Sequence, residues 1–404
     1  MPGLETTDDR LKKLNALLRS ETDSVGGALS FRDFMDHALY HPALGYYMVP
    51  SERVGRAGDF VTAPEMTSLF GELLTLQWVE LWQTMGKPDR FDVVEAGAGS
   101  GRLAVDILNT AAKFQDFSQA LHYAIIEISP DFQTRQSARI GQECHPVHPV
   151  HWHHDLDALE RSGGVRGVLF SNELLDAMPV HWVEMRQDGL VELGVFWGMD
   201  DEGTARWLAR PLNCPESAVI NHFSGRGITL EVGAQAEVSL DAQAWWSKAA
   251  TLVHKGLLLA IDYGDVAAAL FGIVRGSGTL VGHLNHQRVD DPLLHPGEMD
   301  LTAHVDFSGV ATAGERAGLE TVGYTTQAWF LMGLGILERV EMALAAMSEN
   351  PVAADGLKRT LSRLIMPDGM GDRFKVLAQS RGMGRFIPAG FRLNDQRPSL
   401  FGTV

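Results

Sequence analysis

The sequence predicts an α/β fold in which a mostly parallel sheet is covered by helices on both faces. Two observations carry this. Short apolar runs recur along the chain and alternate with segments of helical period, the pattern of strands buried on both sides. One of these runs leads directly into "VVEAGAGSGRL" (93–103), where three glycines stand at alternate positions behind a strand. In sheets of this kind ligands collect at the carboxyl ends of the strands.

The elements follow in order. Residues 8–20 and 31–40 have the spacing of short amphipathic helices, and 70–86 that of a longer one ended by Gly86 and Pro88. Strands are expected at 91–97, 122–129, 149–155, 166–173, 256–264, 278–285 and 320–330. After the second, Ser129 is placed to cap a helix and Pro130 to open it. Between about 180 and 250 the rhythm breaks: "HWVEMRQDGLVELGVFW" alternates around Asp188-Gly189, the signature of a β-hairpin, within an insertion that ends in a helix. Beyond 330 the periodicity is helical. Three units are therefore expected: a helical N-terminal region over 1–90, a core over 91–330 carrying the insertion, and a helical C-terminal region over 331–404 packed on the core.

The 404 residues are enough for a large core, and a formal charge of −17 narrows the partners. So acidic a chain repels a phosphate backbone, which leaves a basic protein or a small molecule as the expected substrate and no nucleic acid. Cys144 and Cys214 are the only cysteines, so no disulfide framework is expected. No apolar run has the length of a membrane span, and the first thirty residues lack signal- or transit-peptide character, so a cytoplasmic protein without a membrane role is expected. "CHPVHPVHWHHD" (144–155) is rich in histidine, but its spacing matches no zinc pattern and no metal is expected.

Gly97, Gly99 and Gly101 form G-x-G-x-G. A dinucleotide fingerprint has its third glycine where Arg102 stands, and a phosphate loop needs a Gly-Lys-Ser/Thr that is absent. Glu95, just before the turn, repels a pyrophosphate and suits an ammonium group. S-adenosylmethionine has an amino-acid end, a sulfonium and no phosphate, and is the expected cofactor. Such a turn also serves tight packing alone, so its neighbours matter. The second strand ends in Glu127, suited to ribose hydroxyls, with Ile128 beside it. The third ends in Asp155 and Leu156, placed for the adenine amino group. The fourth ends in "SNELLDAMPV" (171–180), with Asn172 and Glu173 where a transferred methyl is expected.

"ALYHPALGYYM", "GDFVTAPEMTSLFGELL", "EAGAGSGRLAVDIL", "EISP", "NELLDAMPVHW", "IDYG", "DLTAHVDFSGV" and "TQAWFLMGLGILERV" occur in that order. Together they resemble the MidA family, methyltransferases related to mitochondrial complex I assembly factors, over residues 28–395. The resemblance implies a class I methyltransferase sheet of Rossmann-like form and S-adenosylmethionine as cofactor. Its mitochondrial members methylate arginine on a complex I subunit, so a protein substrate, such as a respiratory-complex subunit, is implied. Ala98 stands where the family turn usually has Pro. The resemblance also marks "GDFVTAPE" (58–65) as a loop over the cofactor, with Gly58, Asp59, Thr62 and Glu65 at the site. In "DLTAHVDF", His304 and Asp306 either line the substrate mouth or form a buried hydrogen-bonded pair at a helix start.

An arginine acceptor needs carboxylates that hold the planar guanidinium. Glu173 is the first candidate, with Asp176, Asp59 and Glu65 behind it. A small-molecule methyltransferase and a non-catalytic assembly factor are the alternatives. The intact glycine turn, Glu127 and Asn172-Glu173 argue against the latter.

Overall fold

A computed structural model describes residues 6–50, 62–272, 276–347 and 349–402. Seven strands form the central sheet: β1 (Phe91–Ala96), β2 (Leu121–Ile126), β3 (His151–His153), β4 (Val165–Asn172), β5 (Val253–Asp265), β6 (Glu320–Thr326) and β7 (Phe374–Arg381). Their spatial order is β6-β7-β5-β4-β1-β2-β3, and the short strand Val305–Asp306 pairs with the end of β5. The pairs from β3 to β5 are parallel, whereas β7 runs antiparallel to both β5 and β6. The chain reverses direction beside β1, between β2 and β4, so the carboxyl ends there open a crevice.

Helices α1 (Thr7–Ser24), α2 (Phe31–Tyr40), α3 (Leu69–Thr84), α4 (Arg102–Ala111), α5 (Pro130–Glu143), α6 (Leu240–Leu252) and α7 (Phe307–Arg316) account for most of the covering layers. Successive side chains of a strand point to opposite faces. Val93 accordingly packs with Leu73, Leu103 and Ile140 of α3, α4 and α5, while Val94 packs with Trp246 and Val310 of α6 and α7. As anticipated, Ser129 caps α5, its Oγ accepting from the Phe132 amide, with Pro130 in the first turn.

Three elements depart from expectation. Residues 281–284 do not join the central sheet: they pair with Gln287–Val289 and Asp300–Thr302 in a separate three-stranded sheet. Residues 320–330 split into β6 and a helix, Gln327–Gly333. β7, inside the supposed helical C-terminal region, is inserted between β5 and β6, so the core sheet extends to Arg381. Its pattern is obscured by buried polar side chains. Gln379 accepts from Trp246 Nε1 at 2.7 Å and donates to the Ala311 carbonyl at 2.7 Å, a pairing that only the assembled core supplies.

The insertion forms its hairpin, His181–Arg186 against Gly189–Met199, and gains further strands at Ala205–Pro211 and Gln235–Val238. Leu29–Ser30, just before α2, adds to its edge. Phe31 and Phe34 of α2 lie against Trp182 and Trp207 of this sheet, which turns the other side of α2 toward the crevice. The N-terminal region is therefore divided: α1 and α2 pack with the insertion, and α3 packs on the core. Among the described residues no helix is long and apolar enough to cross a membrane.

Candidate active site

A cavity of about 370 Å³ opens at the carboxyl ends of β1, β2 and β4, roofed by α2 and α6. Its floor is the glycine turn. Gly97, Gly99 and Gly101 all have positive φ, at 71°, 50° and 78°, conformations that glycine adopts without cost. A Cβ on Gly97 would lie 2.9 Å from Leu174 Cδ1, and one on Gly101 would lie 3.2 Å from Gln136 Cα. The protein's own packing thus fixes these two, while Gly99 presents its backbone to the cavity.

Acids surround the turn. Glu95 accepts a 2.6 Å hydrogen bond from the Tyr123 hydroxyl. Burial pushes its carboxyl up to about 7, an effect partly offset by Tyr123 and reinforced by the nearby Glu127. Glu127 accepts from the Ser129 amide at 2.9 Å and from Gln136 Nε2 at 3.0 Å. Burial raises its carboxyl as well. Gln136, fully buried on α5, also donates to the Gly99 carbonyl at 3.0 Å and accepts from Trp152 Nε1 at 3.0 Å. It therefore locks the turn to the second acid, a role that no local motif announced. Ala98 and Ile128 complete this side.

At the β4 end, Asn172 Nδ2 donates to Glu173 Oε1 at 3.1 Å, and the buried Asn172 Oδ1 has no partner among the described residues. Glu173 has a φ of 54°, a left-handed conformation unusual for a side-chain-bearing residue. Its amide donates to the Ile261 carbonyl at 2.9 Å, and the nearby Ala63 backbone N–H favours the ionised form of its carboxyl. Burial first, then the charge of Asp262, pushes the Glu173 carboxyl up to about 8.

Asp262, in the "IDYG" segment of β5, explains that conformation. It accepts from the Leu174, Leu175 and Tyr263 amides at 3.1, 2.8 and 2.9 Å. The two donors from Leu174 and Leu175 pin the loop that carries Glu173, and neither charge nor spacing marked this aspartate in the sequence.

The other expected site residues separate. Thr62 and Glu65 line the cavity, but Glu65 is drawn to the glycine turn, accepting from Ser100 Oγ and facing Arg139 Nη1 at 3.7 Å. Its carboxylate is thus engaged beside the glycine turn. Asp176 lies behind the wall, hydrogen-bonded to Asp262, and burial beside Asp262, Asp300 and Glu173 raises its carboxyl strongly. Asp155 and Leu156 do not line the cavity; Asp155 Oδ1 instead caps a short helix by accepting from the Ala158 amide at 2.7 Å. Asp306 is a helix cap as well, accepting from the Gly309 amide and flanked by His222 and Arg226, which together hold its carboxyl low despite burial. His304 stacks beside Tyr263, and neither it nor Asp306 lines the cavity. Gly58 and Asp59 lie outside the described residues. Among the described residues no three His, Cys, Asp or Glu side chains converge to hold a metal.

A seven-stranded sheet with one antiparallel strand, a glycine turn after its first core strand and an acid after the second define a class I methyltransferase. The comparisons agree. The family model described as S-adenosyl-L-methionine-dependent methyltransferase matches residues 73–325. The chain is 30% identical over 374 residues to the mitochondrial protein arginine methyltransferase NDUFAF7 of Danio rerio, covering 87% of this chain and 83% of that protein. Against its Homo sapiens counterpart the identity is 28% over 371 residues, covering 87% and 80%. A solved methyltransferase structure from Burkholderia thailandensis, bound to S-adenosyl-homocysteine, is 31% identical with 98% of each chain covered and a TM-score of 0.85. The chain belongs to the MidA family and is an S-adenosylmethionine-dependent methyltransferase. The expected cytoplasmic location is overturned, because the curated relatives are mitochondrial proteins.

The cavity fits this cofactor: the turn has room for a backbone-close ligand, Asn172 Oδ1 offers a free acceptor, and Glu95 and Glu127 offer anionic ones. Two outcomes are expected. Glu127→Ala weakens S-adenosylmethionine by about 1.5–3 kcal/mol, the range for a hydrogen bond to a charged group. An analogue lacking the ribose hydroxyls is affected far less; equal losses for both ligands would remove Glu127 from the ribose.

The second concerns pH. A cationic ligand favours ionised Glu95, so binding lowers a carboxyl that titrates at about 7 in the free protein. Binding therefore releases protons, and affinity rises as pH increases from about 6 to 8. Calorimetry in buffers of different ionisation enthalpy reads this directly, and a pH-independent affinity without proton release would contradict it.

Proposed function

We propose that the protein methylates the guanidinium of an arginine side chain on a protein, with Glu173 as the acceptor clamp. The observation that carries this reading is the Glu173 carboxyl at the cavity wall, held by the Asn172 amide on a loop fixed by Asp262. The naming of the relatives as protein arginine methyltransferases supports it. So does the acidic chain, which attracts a basic partner. A respiratory-complex subunit is the acceptor that the family resemblance favours.

When bound, S-adenosylmethionine supplies a methyl group on a positively charged sulfur. Gly97, Gly99, Glu95, Glu127 and Asn172 would hold it at the floor, with Thr62 and Glu65 at its edge. Glu173 meets the arriving guanidinium, whose charge stabilises the carboxylate form. Attack by the acceptor nitrogen forms the N–CH3 bond as the CH3–S bond breaks, its electrons staying on sulfur, and the nitrogen then gives up a proton. Once the guanidinium has drawn Glu173 into its carboxylate form, against the burial that favours the protonated one, that carboxylate is suited to take the proton. Positioning and charge placement supply the remaining acceleration.

Incubation with labelled S-adenosylmethionine and cell extract, followed by acid hydrolysis of the protein fraction, tests the reading. Label is expected in methylated arginine. Label confined to small molecules, or to another amino acid, would overturn it.

A further inference from the structure

Besides the glycine turn and the acids at the strand ends, the cavity is lined by polar and aromatic groups of its roof. On α2, Arg32 makes a bridge to Asp241 of α6, with Nη2 2.7 Å from Oδ2. One helical turn further along each helix stand Asp36 and Trp245, and both line the cavity. Residues four apart share a helix face, so the bridge sets the two helices in register and directs both side chains inward. Tyr40, a further turn along α2, also lines the cavity. Its hydroxyl donates to the Ala177 carbonyl at 2.9 Å and its ring stacks on Tyr47 at 5.6 Å, which holds the ring in place.

Asp36 is half-buried and makes no hydrogen bond or ion pair among the described residues. Arg32, whose charge favours the ionised carboxyl, does not neutralise it by contact, because its guanidinium is committed to Asp33 and Asp241. Burial raises the Asp36 carboxyl against the opposing charges of Arg32 and His37, while Asp241 and Asp33 add to the rise. A half-buried carboxylate beside an indole and a phenol ring is suited to a planar cation, which gains both the charge pair and contact with the π face.

We propose that Asp36 and Trp245, with Tyr40, form the acceptor-selecting mouth of the enzyme and admit a guanidinium while discriminating against a neutral group of the same shape. The inference rests on the arginine reading above and adds the residues that make the choice. Asp36 takes the place at the acceptor side that Asp176 and Glu65 do not occupy. Trp245 comes from α6, the helix that ends the insertion, so the insertion and the N-terminal helices together confer the selectivity.

The test uses the full chain saturated with S-adenosyl-homocysteine, titrated by calorimetry with an acetylated and amidated Gly-Arg-Gly peptide and with its citrulline counterpart. Citrulline keeps the shape of arginine and lacks the charge. Wild type is expected to prefer the arginine peptide by about tenfold or more, the range for a charged hydrogen-bonded contact. Asp36→Asn is expected to reduce that preference to less than about threefold with S-adenosyl-homocysteine affinity unchanged. Trp245→Leu is expected to weaken both peptides, the arginine one more. Asp36→Asn retaining the full preference overturns the mouth and leaves the arginine reading intact. Wild type binding both peptides equally overturns the arginine reading itself. Failure to bind either peptide overturns the mouth as a recognition element.

Discussion

Glu173→Gln is expected to lower methyl transfer by about a hundredfold or more while leaving the fold and cofactor affinity nearly unchanged; loss of a positioned acid–base group costs this much. The amide keeps the size of the carboxylate but cannot carry its charge or take a proton, and its NH2 group would face the donors from Asn172 and Ala63. Removing an acid that titrates at about 8 also removes its contribution to the pH profile. In the wild type, transfer is expected to rise with pH until this carboxyl is ionised, and in Glu173→Gln that rise is expected to diminish. Melting temperature, cofactor affinity and transfer rate on this one variant separate the cases. A purely structural Glu173 would give an earlier melt and a parallel loss of cofactor binding. Full activity would remove the clamp assignment altogether.

Gly99→Val is expected to weaken S-adenosylmethionine by about a hundredfold or more, through backbone strain and a side chain placed in the ligand's path. The wild-type φ of 50° is poorly tolerated by a β-branched residue, and Gly99 lines the cavity directly. Its carbonyl is tied to Gln136, so the turn cannot swing away to accommodate the branch. Calorimetry on a variant shown to be folded by circular dichroism is decisive, and unchanged affinity would place the cofactor elsewhere. Gly97→Val and Gly101→Val are expected to differ in kind. Their new side chains meet Leu174 and Gln136, so they lose stability along with binding.

Much of the fold and of the cofactor floor was legible in the chain because the signals are local. Strands buried on both faces read as apolar runs, a turn of positive φ favours glycine, and a helix beginning at Ser129-Pro130 declares its own cap. Glu95 and Asn172 stand at the ends of their strands and Glu127 and Glu173 directly follow theirs, so knowing the strands located them at one sheet edge. The periodicity of residues 281–284 correctly gave a strand but not its partner, since pairing is a property of two segments. For β7 even the strand was hidden, because its polar residues are satisfied by α7 and β6 only after folding.

The division of labour among the acids belonged to the tertiary structure. Glu65, Asp176, Asp155 and Asp306 were as acidic and as near to motifs as Glu173, but their partners differ. Ser100 and Arg139 hold the first, Asp262 the second, a helix end the third, and a helix end with Arg226 the fourth. Conversely, Asp262 and Gln136 gained their importance from backbone groups far along the chain, and Asp36 from a helix brought to the cavity by its packing on the insertion. The sequence by itself determined which segments become strands and which turn receives the cofactor, since those depend on neighbouring residues. Which carboxylates face the cavity, and which are consumed in holding it together, was decided only when distant segments met and each buried charge found its partner.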